Sequence, residues 1–523
     1  MPIIETTDAL VLTNQETTLS NFSVFKRVSK LALPMAASYT FSIEMSLLVF
    51  FLSRLNSDET HGAAITPITN MINALVIIGI SPLFAMSMVA GKKIGALKKS
   101  ITENDTDENI QLQKNNIASV NHHGLVIATV MMPVVALPLV FSEPILTGIF
   151  RQSQDVATIA QSFLRPYAIA VPAAMVRLCS EQMIFSFGRT KPAMVMGLLN
   201  ASIGMSLAAI LGFGKMGAPV LKEQGILIGY IVEAYLTAFA FSLYIAMHSE
   251  FKDYPFFRPK NLIAHFSHIR DILTIGRHIL LGNTVEMSSI LGTGAIAGLC
   301  GVSAQAAFST TMQFTLLTFL LKSAFGQSSC QEMSRLIGEK AYQNAAQFGR
   351  YSIPTTLAYV TPIPILFSIQ PRWLLQLLGQ EEDEQYSILR ILIPLMALAV
   401  LFDAVRYNLL QQLRNNLGDG NRATILSSAS MLSGCLLSWA LGVHTNLGIY
   451  GVALGYLTGI FAAMIGLAVR WKSKIEPFAL AAHNEGIASN RSVFFQPPHP
   501  DLLTERLLNH GRPESEIYMA EIG

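Results

Sequence analysis

Glu286 and Asp403 each stand inside an apolar stretch long enough to cross a bilayer, with Arg406 three positions after Asp403 and Lys322 near the middle of another such stretch. A charged side chain at the centre of a spanning helix costs roughly 2.5 to 3.5 kcal/mol on insertion scales, so it marks an ion or substrate pathway or pairs with another buried charge. Three residues make about one helical turn, which places Arg406 and Asp403 on one face. A buried ammonium or guanidinium beside either acid would stabilise the ionised carboxylate, and it would stand where a cation would otherwise bind. The plainer alternatives are a polar pair that only ties helices together and, for Lys322, a stem that lifts its ammonium to the interface.

Other polar groups sit at similar depth. Glu44 and Glu233 lie in apolar runs, and Arg177 and Glu181, one turn apart, read as a self-paired i, i+4 couple. Asn70 and Asn73, three apart and so on one face, would line a polar cavity or bridge helices. Enzyme chemistry finds no support, because no nucleophile motif, phosphate loop or H-E-x-x-H sequence occurs. His122-His123 lacks a third ligand at metal spacing, and Cys179, Cys300, Cys330 and Cys435 show no C-x-x-C spacing. The expectation is a protein that is not an enzyme and carries no metal. Gly292-Thr-Gly294-Ala-Ile-Ala-Gly298 has the glycines of a nucleotide loop but sits in a hydrophobic span, where small residues serve helix packing.

The chain that must position these groups has 523 residues, 51% hydrophobic and 13% charged, against about 25% charged in ordinary soluble proteins. A formal net charge of +2 favours neither a nucleic-acid partner nor a polyacidic one. A span needs roughly 20 mostly apolar residues. Twelve such stretches can be read, at 31–53, 63–90, 123–143, 157–186, 192–213, 224–247, 273–298, 305–328, 351–369, 385–413, 421–443 and 448–470. Basic residues concentrate in alternate loops, among them Lys92, Lys93, Lys98, Lys99 and Lys114, then Lys252, Arg258, Lys260 and Arg270. Such loops face the cytoplasm, so both termini are expected there. No signal-peptide pattern is read at the start, which leaves span one as its own insertion signal. Residues 96–120, polar and rich in Asn and Asp, read as a flexible cytoplasmic loop.

Glu44-Met45-Ser46 in span one recurs as Glu286-Met287-Ser288 in span seven, about 242 positions later. An Ala-Ala pair follows each, Ala63-Ala64 and Ala306-Ala307, and then a glycine-containing basic segment, Gly91 to Gly95 and Arg335 to Lys340. One membrane unit is written twice. The expected fold is all-α integral membrane, with twelve transmembrane helices in two six-helix bundles, 31–247 and 273–470. A cytosolic linker at 248–272 joins them, and a cytosolic N-terminal segment, 1–30, and a cytosolic tail, 471–523, flank them. Six is even, so the bundles share one orientation and should be related by a pseudo-twofold axis along the membrane normal. Duplicated spans with intramembrane acids point to a transporter.

From about Val28 to Trp471 the order of several short pieces resembles the multidrug and toxic compound extrusion (MATE) family. The pieces are Leu31-Ala-Leu-Pro34, Phe187-Gly188-Arg189-Thr190-Lys191-Pro192, Ala306-Ala307 and Leu413-Arg414-Asn415-Asn416-Leu417-Gly418-Asp419. The resemblance implies an antiporter that exports organic, cationic compounds in exchange for protons or sodium ions. It also implies no cofactor, a monomer, a small organic substrate and the cell inner or plasma membrane. In the NorM-like branch a Glu in span seven and an Asp in span ten bind the coupling cation, positions that correspond to Glu286, eight residues after His278, and Asp403, which Ala404 follows. Gln313 stands where the family often has Asn, which implies cavity lining, a role also open to Glu44, Asn70 and Asn73. Leu48-Val49 replaces the span-one Asp of many bacterial members, Lys322 falls where Pro or an apolar residue is usual, and Arg406 replaces a Gln. A flippase of the same superfamily, moving lipid-linked precursors, is the alternative and would want a basic cavity for a pyrophosphate.

Overall fold

A chain segment crossing hydrocarbon must close its own backbone hydrogen bonds, and the long apolar runs of this sequence do so as helices. A computed structural model describes residues 20–41, 59–256, 266–373 and 383–485, with no strand among them. The first half contains α1 (Asn21–Phe41), α2 (Glu59–Ile80) and α3 (Ala85–Thr102), the last two joined by a 3-10 turn at Ser81–Phe84. It continues with α4 (Asp107–Val140), α5 (Ser142–Gly148), α6 (Gln154–Tyr167), α7 (Val171–Ser186), α8 (Thr190–Phe213) and α9 (Lys222–Met247). The second half contains α10 (Phe266–Leu299), α11 (Val302–Gly338), α12 (Tyr342–Val360) and α13 (Pro362–Ile369). It ends with α14 (Asp383–Asn415), α15 (Gly420–Val443) and α16 (Ile449–Glu485). The described residues up to Ala479 form one compact unit.

Among the described residues, ten stretches are long and apolar enough to cross a membrane, from Met71–Thr102 to Ile449–Leu480. The other two expected spans fall on α1, whose continuation lies outside the described residues, and on α11, which carries Lys322 at mid-length. Pro34, Pro133 and Pro394 all lie inside helices.

The packing repeats with an offset of six spans. Helix α1 packs on α8 as α10 packs on α15, α3 on α4 as α11 on α12, and α3 on α7 as α11 on α14. Contacts between the bundles are reciprocal too, since α1 meets α11 while the turn before α3 meets α10. Helices α3 and α11 cross where the two halves exchange places. There the backbones touch: a Cβ on Gly95 would strike the Arg335 carbonyl, and one on Gly338 would strike the Lys92 carbonyl. These reciprocal contacts belong to two like-oriented bundles related by a twofold axis.

One expectation is corrected. Residues 96–120, read as a flexible loop, are helical except at 103–106. Their polar residues extend α3 and α4 beyond the apolar part of the helices. The Thr106 hydroxyl accepts from the Asn109 backbone N–H at 3.4 Å, and Asp107 and Glu108 lie in the first turn of α4, where negative charge suits the helix dipole. Thr106→Ala is therefore expected to cost about 1 kcal/mol of local helix stability, read as faster amide hydrogen exchange at Asp107–Asn109 with the rest of α4 unchanged.

The described start of the linker, up to Phe256, packs against the first bundle. Phe251, Tyr254 and Phe256 set their rings edge-on around Phe187, with centroids 4.9, 5.2 and 6.4 Å away. His122 Nε2 donates to the Phe256 carbonyl at 2.6 Å, so this buried histidine fastens the start of the linker. The segment after 470, read as tail, continues as helix to Glu485.

Candidate functional site

Four charged side chains from three helices meet inside the second bundle. Glu286 comes from α10, Lys322 from α11, and Asp403 and Arg406 from α14; their side chains are between 1% and 11% exposed. Arg406 uses three nitrogens on three partners. Its Nε donates to Asp403 Oδ1 at 2.6 Å, its Nη2 lies 3.0 Å from Glu286 Oε1, and its Nη1 donates to the Ser427 hydroxyl on α15 at 2.9 Å. The first contact follows from the three-residue spacing on α14. The other two draw α10 and α15 onto the same guanidinium.

Lys322 makes a direct ion pair with Asp403 and lies 3.9 Å from Glu286. The rings of Phe319 and Tyr407 also face its ammonium, 4.9 and 5.4 Å from centroid to Nζ. Two carboxylates thus share two cations, and the cluster carries no net charge. This answers the desolvation cost of each ion, and it shows that Lys322 takes a partner inside the bundle instead of rising to the interface. Beyond the cluster, Arg414 is buried on α14 and donates to the His278 carbonyl at 3.4 Å.

The four residues singled out in the sequence thus come together in one cluster. Ser427 was missed, because an isolated serine in an apolar run carries no signal of its own. Of the residues read as cavity lining, Asn73 is half-buried on α2, in the first half of the chain. Glu44 lies outside the described residues, as do the side chains of Asn70 and Gln313. No group of three or more His, Cys, Asp or Glu able to hold a metal ion occurs among the described residues.

The first bundle has a smaller buried set. Arg177 on α7 reaches Glu233 on α9 at 3.7 Å, and Glu181 accepts from the Ser38 hydroxyl at 2.7 Å. The i, i+4 reading of Arg177 with Glu181 thus misses a pairing across helices. Removing one member of a buried pair strands the other charge at roughly 3 to 5 kcal/mol. Arg177→Met is expected to lower the unfolding temperature in detergent clearly, and adding Glu233→Gln to recover most of the loss.

A polar chain also joins the bundles and was not anticipated. Tyr39 on α1 donates to Gln327 on α11, whose amide donates to Gln182 on α7 at 2.5 Å and to Ser87 on α3 at 3.4 Å. Asn283 on α10 donates to Ser81 at 2.8 Å. Towards the end where α3 finishes, Arg27 pairs with Glu332, and Lys98 Nζ lies 3.0 Å from Glu339. Glutamines inside apolar runs are the sequence signal for such a chain, since polar side chains in a bilayer seek partners across helices.

The family model MatE matches residues 111–210 and 279–440. The Multidrug resistance protein NorM of Vibrio cholerae is 23% identical over 378 residues, 68% of this chain and 78% of that protein. The Probable multidrug resistance protein NorM of Listeria innocua is 24% identical over 417 residues, 78% of this chain and 85% of that one. Among solved structures, a MOP superfamily transporter from Pyrococcus furiosus, described as having a binding pocket of reverse polarity, superposes with a TM-score of 0.75 at 14% identity. The superposition covers 88% of this chain and 99% of that one. An outward-facing MATE family transporter gives a TM-score of 0.72 at 14% identity over the same shares.

Proposed function

We propose, because this chain belongs to the MatE family of transporters, that it exchanges protons or sodium ions for organic cations, with Glu286 and Asp403 as the coupling carboxylates. The protein is a multi-pass membrane transporter and not an enzyme. The observation that carries the finer reading is the convergence of Glu286 and Asp403, from two separate helices, on one buried cluster. Both acids also stand where the NorM-like branch places its cation ligands.

In this reading the two bundles, 31–247 and 273–470, rock against each other about the linker, in a monomer whose termini face the cytoplasm. The positive loops assign the end bearing Lys98 to the inside, and the bundles are packed together there. A cation entering from outside shifts the balance between inward- and outward-facing states only by binding one of them better than the other. The acid cluster supplies that difference, and release of the organic substrate outward follows. The flippase alternative wants an excess of positive charge; the cluster of two acids and two bases is itself neutral, with the buried Arg414 beyond it. Wild-type protein in vesicles should drive uptake or efflux of an organic cation under an imposed proton or sodium gradient. Flux of a lipid-linked pyrophosphate in its place would favour the flippase.

A further inference from the structure

We propose that Lys322 is a tethered cation: its ammonium fills the coupling site between Glu286 and Asp403 when no free cation is bound, and an incoming monovalent cation loads the site by displacing it. The proposal rests on the reading of those two acids as the coupling carboxylates, and it adds the group that regulates their occupancy.

The two bases of the cluster are held differently. Arg406 is pinned by an acid on its own helix, an acid on α10 and a hydroxyl on α15, and is 1% exposed. A fork with three fixed partners cannot leave without stranding several of them. Lys322 reaches the acids from α11 on a flexible four-carbon stem as a point charge. On the carboxylate side it meets Asp403 and Glu286; on the other it meets the faces of Phe319 and Tyr407. Aromatic faces within about 6 Å of a ring centroid attract a cation, so the rings and the carboxylates hold the ammonium at one position from opposite sides.

Charge balance makes the displacement necessary. With Lys322 seated, two negative charges face two positive ones, and one more cation would leave an uncompensated charge in a low-dielectric interior, where such a charge is costly. Neutrality is kept when the displaced Lys322 gives up its proton and withdraws as the uncharged amine, so that one proton leaves as the incoming cation takes its place beside Asp403. The chain thereby carries its own competitor for the site, whether the incoming group is a sodium ion or an alkylammonium.

The test uses the full chain in nanodiscs, with sodium chloride and n-butylammonium chloride as probes and calorimetry as the readout. Lys322→Ala leaves two acids on one guanidinium and a space shaped for a butylammonium, so it should bind that ion on the order of tenfold or more tighter than wild type, because a competing unit charge a few ångströms away is gone. Lys322→Gln should gain sodium binding in the same sense, and Lys322→Arg should stay closed to both probes. Should Lys322→Ala be unstable alone, purification in n-butylammonium should restore it, as a free cation can replace a tethered one. Failure of both neutral variants to fold with the probe present would count against the proposal. So would binding no tighter than wild type, or a gain that survives added Asp403→Asn and Glu286→Gln. The underlying reading is judged separately. If gradient-driven efflux survives Asp403→Asn in the wild-type background, the coupling assignment fails. If efflux is lost there while the neutral Lys322 variants gain nothing, only the tethered cation fails.

Discussion

Asp403→Asn is expected to abolish gradient-driven efflux and to destabilise the protein, and a second substitution should separate these two losses. The Asp403 carboxylate pairs with both Lys322 and Arg406, so the neutral amide leaves two buried cations facing Glu286 alone. Breaking a buried pair from one side typically costs about 3 to 5 kcal/mol. Adding Lys322→Met restores neutrality with Glu286 and Arg406 and should return most of the thermal stability. Transport should not return. Coupling between sites is usually worth about 1 to 3 kcal/mol, or roughly 5- to 150-fold in affinity, and the amide removes it for a cation. A double variant that is stable and still transports would mean that Asp403 had only a structural duty.

Gly95→Leu, and in the same way Gly338→Leu, is expected to hold the bundles apart at the α3–α11 crossing. A Cβ at Gly95 meets the Arg335 carbonyl and the Glu339 amide, which are backbone atoms and cannot turn aside as a flexible side chain would. Overpacking of this kind costs typically about 1 to 3 kcal/mol. Charged to the closed state alone, that is a roughly 5- to 150-fold shift against it. The packed end should then spend more time open. A thiol introduced by Ser334→Cys, beside Gly91 on the facing helix, should label much faster with a membrane-impermeant reagent in the Gly95→Leu background than without it, and efflux should fall in step. Unchanged labelling would show that the crossing yields without opening the end.

The spans were legible because a bilayer imposes a length and an apolar character on whatever crosses it, and the duplication was legible because Glu-Met-Ser marks both copies. Lys322 and Arg406 were legible as partners for the same reason: at that depth a charge must find another. Sequence spacing reports neighbours on one helix far better than neighbours across helices. It therefore paired Asp403 with Arg406 correctly and joined Arg177 to Glu181, while Glu233, across on α9, receives the described ion pair. Ser427, Tyr39 and Gln182 take their roles from which helices pack together, and no local pattern records that. Residues 96–120 misled through composition, since Asn and Asp mark a helix beyond the membrane as readily as a loop, and the cap at Thr106 was the sign that went unread.

The most direct measurement places wild type and the Glu286→Gln/Asp403→Asn double variant in vesicles and follows a fluorescent organic cation as a proton gradient, then a sodium gradient, is imposed. Wild type should move the cation against its own gradient under at least one of the two and stop when that gradient is collapsed. The double variant, inserted at equal density, should show only passive leak. Gradient-driven movement that persists in the double variant, or that is lost only when Glu44→Gln is introduced, would place coupling in the first bundle and contradict the assignment made to Glu286 and Asp403.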